Sequence, residues 1–510
     1  VYTFRNIRYA AAPVGELRWA KPVSPPKVDG IQDRNEAIAC TQPSSREVTT
    51  VHGAIVGSGQ EDCLFLDLTI PRKVYENKGE TKVPVLQWVH GGYYSSSSRP
   101  ALIMISRSFH QFAKLSNGSI ISLAANYRIG AYGFLGGSTV EREGVPNVGL
   151  WDQRAAFEWT QKYIPDLGGD KGHVTALGIS AGAGSMLHHL TAEGGTKDPL
   201  FQRAIFQSSG YATIQDRTGA VEQKFKRLED FAGCKGKGLA CLRALSEDAM
   251  RKVSEFANSG NPQGSSGWDP VPDGRYIIST PTAEIGKGRY WKKMDGIISG
   301  HALNEAGGRW FVDQSINTTA KFDEYARSGF ANGTGPVYEK LLERLVKLYP
   351  AAETPGSPFK DTRARLASYT ADAGFNCHHR AIAQAYPDKT YTYQAALLGA
   401  THYVDQFPSF FDPNGRGMWG MLNLMSKNTR SVQAFQSYLV SHIVTGNPNT
   451  LRDPATTIEW PITTGLADPT LTGVLNFSSP TGPQGFSVIT SQRLVKEKCE
   501  FWDDVWAAMA

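Results

Sequence analysis

The stretch His173-Val-Thr-Ala-Leu-Gly178-Ile179-Ser180-Ala181-Gly182-Ala183-Gly-Ser-Met-Leu-His-His-Leu190 decides the fold class. Its first six residues read as a strand, and Ala183 to Leu190 read as a helix. The Gly-x-Ser-x-Gly between them fits a sharp turn that exposes a serine hydroxyl beside a helix N-terminus. The bare pattern occurs by chance roughly 0.4 times in a chain of this length and glycine content, so its weight comes from the strand, turn and helix around it. A serine held this way is a candidate nucleophile.

Outward from this point the same alternation continues. Val83 to Val89, Ile120 to Ala125, Arg203 to Gln207, Asp295 to Ser299 and Tyr391 to Ala396 are further short apolar runs. Amphipathic stretches separate them, such as Trp151 to Tyr163, in which Trp151, Ala155, Trp159 and Tyr163 recur at helical spacing. Strands alternating with helices predict an α/β fold with a large, mostly parallel central sheet and helices on its faces. Val337 to Leu348 is a further predicted helix, closed by Tyr349 and Pro350, and the Gly-, Ser- and Pro-rich residues 258 to 274 predict a surface loop. No repeat, low-complexity tract or linker divides residues 1–510, which predicts one large domain with excursions although length alone suggests about three.

Composition excludes several classes. The 510 residues are 41% apolar and 20% charged, a globular balance. The 53 basic and 48 acidic residues are dispersed, so nucleic-acid binding has no electrostatic footprint. No apolar run approaches the roughly 18 residues of a membrane span. The sequence opens at Val1 inside what reads as a strand, which leaves room for a leader ahead of it. The six cysteines, at 40, 63, 234, 241, 377 and 499, form no C-x-x-C pair, so disulfides and an oxidising compartment are expected, with fifteen possible connectivities. Sequons at Asn117, Asn317, Asn332 and Asn476 agree with secretion, although about two or three arise by chance.

A serine nucleophile needs donors for the oxyanion it creates. Val85-Leu-Gln-Trp-Val89 opens into His90-Gly91-Gly92-Tyr93-Tyr94, resembling the H-G-G-G loop that turns backbone N–H groups toward developing negative charge. An ordinary Gly-Gly turn is the alternative. Further segments extend the likeness: Phe4-Arg-Asn-Ile-Arg-Tyr-Ala-Ala-Ala-Pro-Val-Gly-Glu-Leu-Arg-Trp19, Glu61-Asp-Cys-Leu64, Asn126-Tyr-Arg-Ile-Gly-Ala-Tyr-Gly-Phe134, Asn147-Val-Gly-Leu-Trp-Asp-Gln-Arg154, Gly168-Gly-Asp170 and Cys499-Glu-Phe-Trp502. Across nearly its whole length the chain resembles the type-B carboxylesterase/lipase family of α/β hydrolases, which includes cholinesterases and secreted fungal esterases. The resemblance implies an α/β-hydrolase fold whose inserted loops and helices form a substrate gorge.

It also implies a site, in the chain order Ser, acid, His. Gly300-His-Ala-Leu-Asn-Glu305 is similar to the family's G-x-x-x-x-E, making Glu305 the candidate acid. Gly399-Ala-Thr-His402-Tyr-Val-Asp405 is similar to its G-x-x-H-x-x-[DE], making His402 the candidate base, with His301, His188 and His189 as local competitors. Gly92, Tyr93 and Ala181 supply the expected oxyanion N–H groups. The family pairing implies Cys40–Cys63, Cys234–Cys241 and Cys377–Cys499, with free thiols at 377 and 499 as the alternative. No metal or organic cofactor is implied.

The expected activity is hydrolysis of small-molecule carboxylic esters through an acyl-enzyme on Ser180 by a secreted enzyme. An acyltransferase or cyclising enzyme, a triglyceride lipase and a non-catalytic binding protein are the alternatives. The loop between Cys40 and Cys63 is short and mostly polar where the family's lipases carry an amphipathic lid, which favours soluble or short-chain esters. Three further positions stand out. Ile179 occupies a place where many relatives carry Glu, and its carboxylate would favour the imidazolium; simple packing is the alternative. Tyr93 replaces a third glycine and is expected to narrow the site against bulky alcohols. Phe410, Phe411, Met418, Trp419, Met421 and Met425 read as core or as pocket lining.

Overall fold

Period-two alternation of apolar side chains builds the centre of the molecule. The computed structural model describes residues 1–32, 38–42, 49–51, 54–56, 59–95, 103–211, 218–259, 267–308, 312–329, 335–412, 430–478 and 485–509. Its strands are β1 (Tyr2–Arg8), β2 (Thr49–Val51), β3 (Ala54–Val56), β4 (Phe65–Ile70), β5 (Val83–Val89), β6 (Ile121–Ala125), β7 (Gly169–Ile179), β8 (Arg203–Gln207), β9 (Gly296–Ala302), β10 (Thr390–Ala395), β11 (Val474–Phe477) and β12 (Phe486–Ile489). Ten of them form one sheet in the order β1-β4-β6-β5-β7-β8-β9-β10-β11-β12, while β2 and β3 form a separate hairpin. From β6 to β11 every neighbouring pair is parallel. Antiparallel strands close both edges.

Each central strand feeds two cores. Val85 and Val89, Val174 and Ala176, Ala204 and Phe206 join one apolar cluster, with Leu150, Phe157, Met186 and Leu190 from the helices Val148–Tyr163 and Ala181–Gly195. Leu86 and Trp88, Leu177 and Ile179, and Ile205 face the opposite way into a second cluster with Phe435, Leu439 and Ile443 from helix Arg430–Thr445. Helices therefore cover both faces, as the alternation requires. A third cluster gathers the helices Thr319–Gly329, Pro336–Leu348, Thr362–Ala371, Cys377–Ala385 and Lys496–Met509.

The expected strands are all present, with ends shifted by a few residues: β7 begins at Gly169 and β9 runs on to Ala302. Strand β4 was not anticipated, because Phe65-Leu-Asp-Leu-Thr-Ile70 is buried on both faces and shows little alternation. Residues 258 and 259 end a helix, 267–274 are irregular, and 260–266 lie outside the described residues. Among the described residues no helix is long and apolar enough to cross a membrane, and no group of three His, Cys, Asp or Glu is placed to hold a metal ion.

Several of the sequence motifs prove to be tie points between elements. Arg18 pairs bidentately with Glu61 at 2.8 and 2.7 Å and donates to the carbonyls of Leu242, Arg243 and Leu245. Arg128 pairs bidentately with Asp152, at 2.7 Å for each bond, with both side chains almost fully buried. Asn126 donates to the carbonyls of Ile38 and Cys63, and Asn147 donates to that of Val271. The disulfides are Cys40–Cys63, Cys234–Cys241 and Cys377–Cys499, and no described cysteine is free.

The Cys377–Cys499 bond spans 122 residues and joins two helices of the third cluster. Loop-closure entropy gives it a stabilisation of about 5 kcal/mol. Replacing both cysteines by alanine should lower the unfolding free energy by up to that amount in urea titration, with an unchanged midpoint as the contrary result.

Candidate active site

Parallel strands deliver the residues that follow them to one edge of the sheet, and this brings the candidate residues together. Strand β5 ends at Val89 before His90, β7 at Ile179 before Ser180, β9 at Ala302 before Glu305, and β10 at Ala395 before His402. These strands lie in one continuous block with β8.

Ser180 occupies the turn between β7 and its helix with φ 55° and ψ −126°, a strained conformation for a non-glycine residue that costs on the order of 1–3 kcal/mol. Three backbone bonds hold it there: Ser180 N–H donates to Gln207 O at 2.9 Å, and Ser180 O accepts from Gly184 N–H at 2.8 Å and Gly210 N–H at 3.0 Å. The turns after β5 and β7 touch backbone to backbone. A Cβ on Gly182 would lie 2.2 Å from Val89 O, and one on Gly91 would lie 2.5 Å from Ile179 O and 3.0 Å from the Ser180 Cβ. Neither position has room for a side chain. The His90 ring stacks on Tyr127 at 4.1 Å, and the Tyr127 hydroxyl donates to His90 O at 2.7 Å, which anchors the first turn.

Glu305 and His402 meet because their two loops pair. Asn304 and Thr401 form a parallel bridge, Asn304 N–H donates to Ala400 O, and His402 N–H donates to Glu305 O at 3.2 Å. One Glu305 oxygen lies 2.6 Å from His402 Nδ1, and the other accepts from Ala302 N–H at 2.6 Å. Both side chains are fully buried. His402 and Ser180 share neighbours. Gly210, which bonds Ser180 O, lies against Phe375, whose ring is 4.5 Å from that of His402.

Gly92, Tyr93 and Ala181 surround this corner. Ala181 is the first residue of its helix, where the N–H groups have no intrahelical acceptor. Tyr93 and Tyr94 both adopt left-handed backbone (φ 54° and 55°), and the Tyr93 ring packs against the third apolar cluster. Burial raises its hydroxyl pKa strongly, with Tyr403, Asp269 and Glu305 adding to the rise. Ile179 is buried in the second cluster, so its side chain is a packing element. Phe410 packs edge-on to Trp88 at 4.7 Å, and Phe411 is buried in the same cluster, which places both in the core. Met418, Trp419, Met421 and Met425 lie outside the described residues, as do residues 43–48, 52–53 and 57–58 between Cys40 and Cys63.

The structure adds residues that the sequence reading did not single out. Tyr403 follows His402 with φ 74°, sets its ring at 4.3 Å and nearly perpendicular to the imidazole, and packs against residues of both the second and the third apolar cluster. Beneath the site, Asp405 accepts from the Tyr393 hydroxyl at 2.6 Å, and burial together with Glu305 pushes its carboxyl up to about 6. His379 bridges Ser299 Oγ at 2.7 Å and Ser209 N–H at 3.2 Å. The competitor His301 turns Nδ1 to its neighbour's carbonyl, Ala302 O, at 2.9 Å. His189 is bound by Tyr276 and Gln153, and His188 packs edge-on against Tyr211, so neither takes the place of His402 beside Glu305.

Known proteins share this architecture. A family model described as "Carboxylesterase family" matches residues 1–502. The chain is 35% identical over 450 residues to a secreted lipase of Arthroderma benhamiae, covering 87% of this chain and 83% of that one. It is 29% identical over 506 residues to carboxylesterase patB of Penicillium expansum, covering 89% and 85%. It superposes on the crystal structure of Aspergillus niger EstA with a TM-score of 0.79 at 24% identity, over 99% of this chain and 95% of that one.

Burial around and below the site has a pH consequence. It lowers the pKa of His90 and His378 to about 4, of His188, His189 and His442 to about 3, and of His301 and His379 in the same direction. Unfolding returns these seven to about 6.5, so the stability they confer is complete above that pH and is lost as pH falls from 6.5 toward 4. Asp405 and Asp503, raised by burial to about 6 and about 7, oppose this over the same range. Among these groups the imidazoles outnumber the two carboxyls, so unfolding near pH 5 should take up protons on balance. Urea midpoints should fall steeply between pH 7 and 5, and a flat profile would contradict the assignment of neutral buried imidazoles.

Proposed function

The chain belongs to the carboxylesterase family and is a carboxylic ester hydrolase of the serine type on the α/β-hydrolase fold, and from that premise we propose how it works and on what. Ser180 is the nucleophile, His402 the general base and Glu305 the carboxylate that orients the imidazole. The observation that carries this reading is the buried 2.6 Å bond from His402 Nδ1 to Glu305. It fixes the tautomer with the proton on Nδ1, leaving Nε2 as the basic nitrogen.

In acylation, Ser180 Oγ attacks the ester carbonyl as its proton passes to His402. The carbonyl oxygen, now an oxyanion, is met by the N–H groups of Gly92, Tyr93 and Ala181. Collapse breaks the bond to the alcohol, which leaves with the proton from His402. Water then repeats the sequence on the acyl-enzyme and releases the acid. The strained turn serves this chemistry by holding Ser180 Oγ clear of its own helix, at the positive end of the helix dipole.

The substrate is a small soluble or short-chain ester, bound in a gorge built by the loops that follow β5, β9 and β10. The support is the polar sequence between Cys40 and Cys63, which lacks an apolar lid. The similarity to a secreted lipase keeps triglycerides as the second reading. The chain acts as one unit, since its candidate residues at 180, 305 and 402 come from a single sheet. Three disulfides and the secreted relative support an extracellular location. Of the sequons, Asn117 and Asn317 are exposed and are the proposed glycosylation sites, while Asn332 lies outside the described residues. Asn476 lies on β11 with its amide oxygen bonded to Gln394, which disfavours it.

An organophosphate should label Ser180 stoichiometrically, and Ser180→Ala should lower kcat on p-nitrophenyl butyrate by about 10⁴-fold or more; full activity in Ser180→Ala would overturn the nucleophile. With emulsified tributyrin, the rate should saturate without a jump at the solubility limit. A clear jump there would favour the lipase reading.

A further inference from the structure

A single turn of π-helix, Asp372–Asn376, joins the helices Thr362–Ala371 and Cys377–Ala385. Such turns are rare and occur disproportionately at functional sites. The Asp372 carboxylate holds this one in place. It accepts from Asn376 Nδ2 at 2.9 Å across the turn, from the Tyr349 hydroxyl at 3.0 Å and from Lys498 Nζ at 2.7 Å. Lys498 belongs to helix Lys496–Met509, and Trp502, one turn further along it, donates to the Tyr349 hydroxyl at 3.0 Å. The Cys377–Cys499 bond sets a covalent tie beside the ionic one. Helix Lys496–Met509 therefore fixes the π-helical turn.

The turn delivers Phe375 to the site. Its ring lies so close to Gly210 that a Cβ there would meet Phe375 Cε1 at 2.7 Å, and Gly210 N–H donates to Ser180 O at 3.0 Å. The same ring stands 4.5 Å from the imidazole of His402, tilted to it by 50°. The bond from His402 Nδ1 to Glu305 places one ring nitrogen and leaves the tilt of the ring to its neighbours. We infer that Phe375 is a positioning residue for His402, a spacer of fixed thickness between the imidazole and the loop that supports Ser180, and that Lys498 acts on the base through Asp372 and this ring. The inference rests on the catalytic reading of Ser180 and His402 above. Acylation and deacylation use the same imidazole, so a misplaced His402 slows both steps whatever the acyl group. A ring that merely lines the acyl pocket behaves differently, because its removal alters the ratio of rates between acyl lengths.

Two positions, one beside the base and one remote from it, separate these roles. Phe375→Leu keeps an apolar side chain and loses the flat ring. It should lower kcat for p-nitrophenyl acetate and p-nitrophenyl butyrate by the same factor, on the order of tenfold, with KM little changed. Labelling of Ser180 by diisopropyl fluorophosphate needs the same base and should slow by a similar factor. Lys498→Met should also lower kcat equally on both esters, and Lys498→Arg, which keeps a cation on Asp372, should restore most of the loss. Should Lys498→Met fail to fold, Phe375→Leu decides. Unchanged kcat in Phe375→Leu, or a loss that differs between the two esters, would overturn the inference while leaving Ser180 as nucleophile. Unchanged kcat in folded Lys498→Met would overturn the part assigned to Lys498. If Ser180 in the unaltered enzyme takes no label and Ser180→Ala keeps full activity, the catalytic reading fails and this inference fails with it.

Discussion

The backbone contact between the turns after β5 and β7 is the constraint on which the site depends. Gly182 lies so close to Val89 O, and Gly91 so close to Ile179 O, that a methyl group at either place would force the turns apart. The parallel register of β5 with β7, which pairs Val89 with Gly178, sets the two turns at the same height. One turn carries the strained Ser180, and the other carries Gly92 and Tyr93. Their relative position is fixed by main-chain atoms in van der Waals contact, the least deformable part of a protein. Geometry held in this way does not depend on a flexible side chain finding its place.

The other half of the site is built by a second pairing. Glu305 and His402 are 97 residues apart, yet the Asn304–Thr401 bridge makes their loops behave as a short extension of the sheet. The acid is tied at both oxygens, to His402 and to Ala302 N–H, so the imidazole receives a fixed partner. Asp405 accepts from the Tyr393 hydroxyl, and burial together with Glu305 has raised its carboxyl to about 6. The buried imidazoles around it are the converse case, neutral because they are dry.

Much of this was legible in the sequence, and the reason is local. The elbow announces itself because Gly, Ser and Gly must fall at fixed spacing between a strand and a helix. The order of Ser, Glu and His follows from the order in which parallel strands emerge. Motifs such as Glu16-Leu-Arg-Trp19 and Asn147 to Arg154 identified the family, and the structure gives them an architectural meaning: Arg18 and Asp152 are halves of buried ion pairs whose disruption leaves a bare charge inside the protein. The edge strands β11 and β12 were not legible, since four residues each carry too little periodicity to stand out. Nor was Tyr403. Its position beside His402 was plain, but the direction of its ring is set by a left-handed backbone and by two clusters drawn from distant parts of the chain.

The strand order carries a consequence for how such a molecule comes into being. From β7 outward through β8, β9, β10, β11 and β12, each strand is the next in the chain, so a polypeptide emerging N-terminus first extends the sheet at a growing edge. The turn at Ser180 can form while Glu305 and His402 are still unmade. The last covalent tie, from Cys377 to Cys499, waits for the final dozen residues. Synthesis itself therefore acts as a clock, and the strand that precedes His402 joins the sheet only after those that precede Ser180 and Glu305.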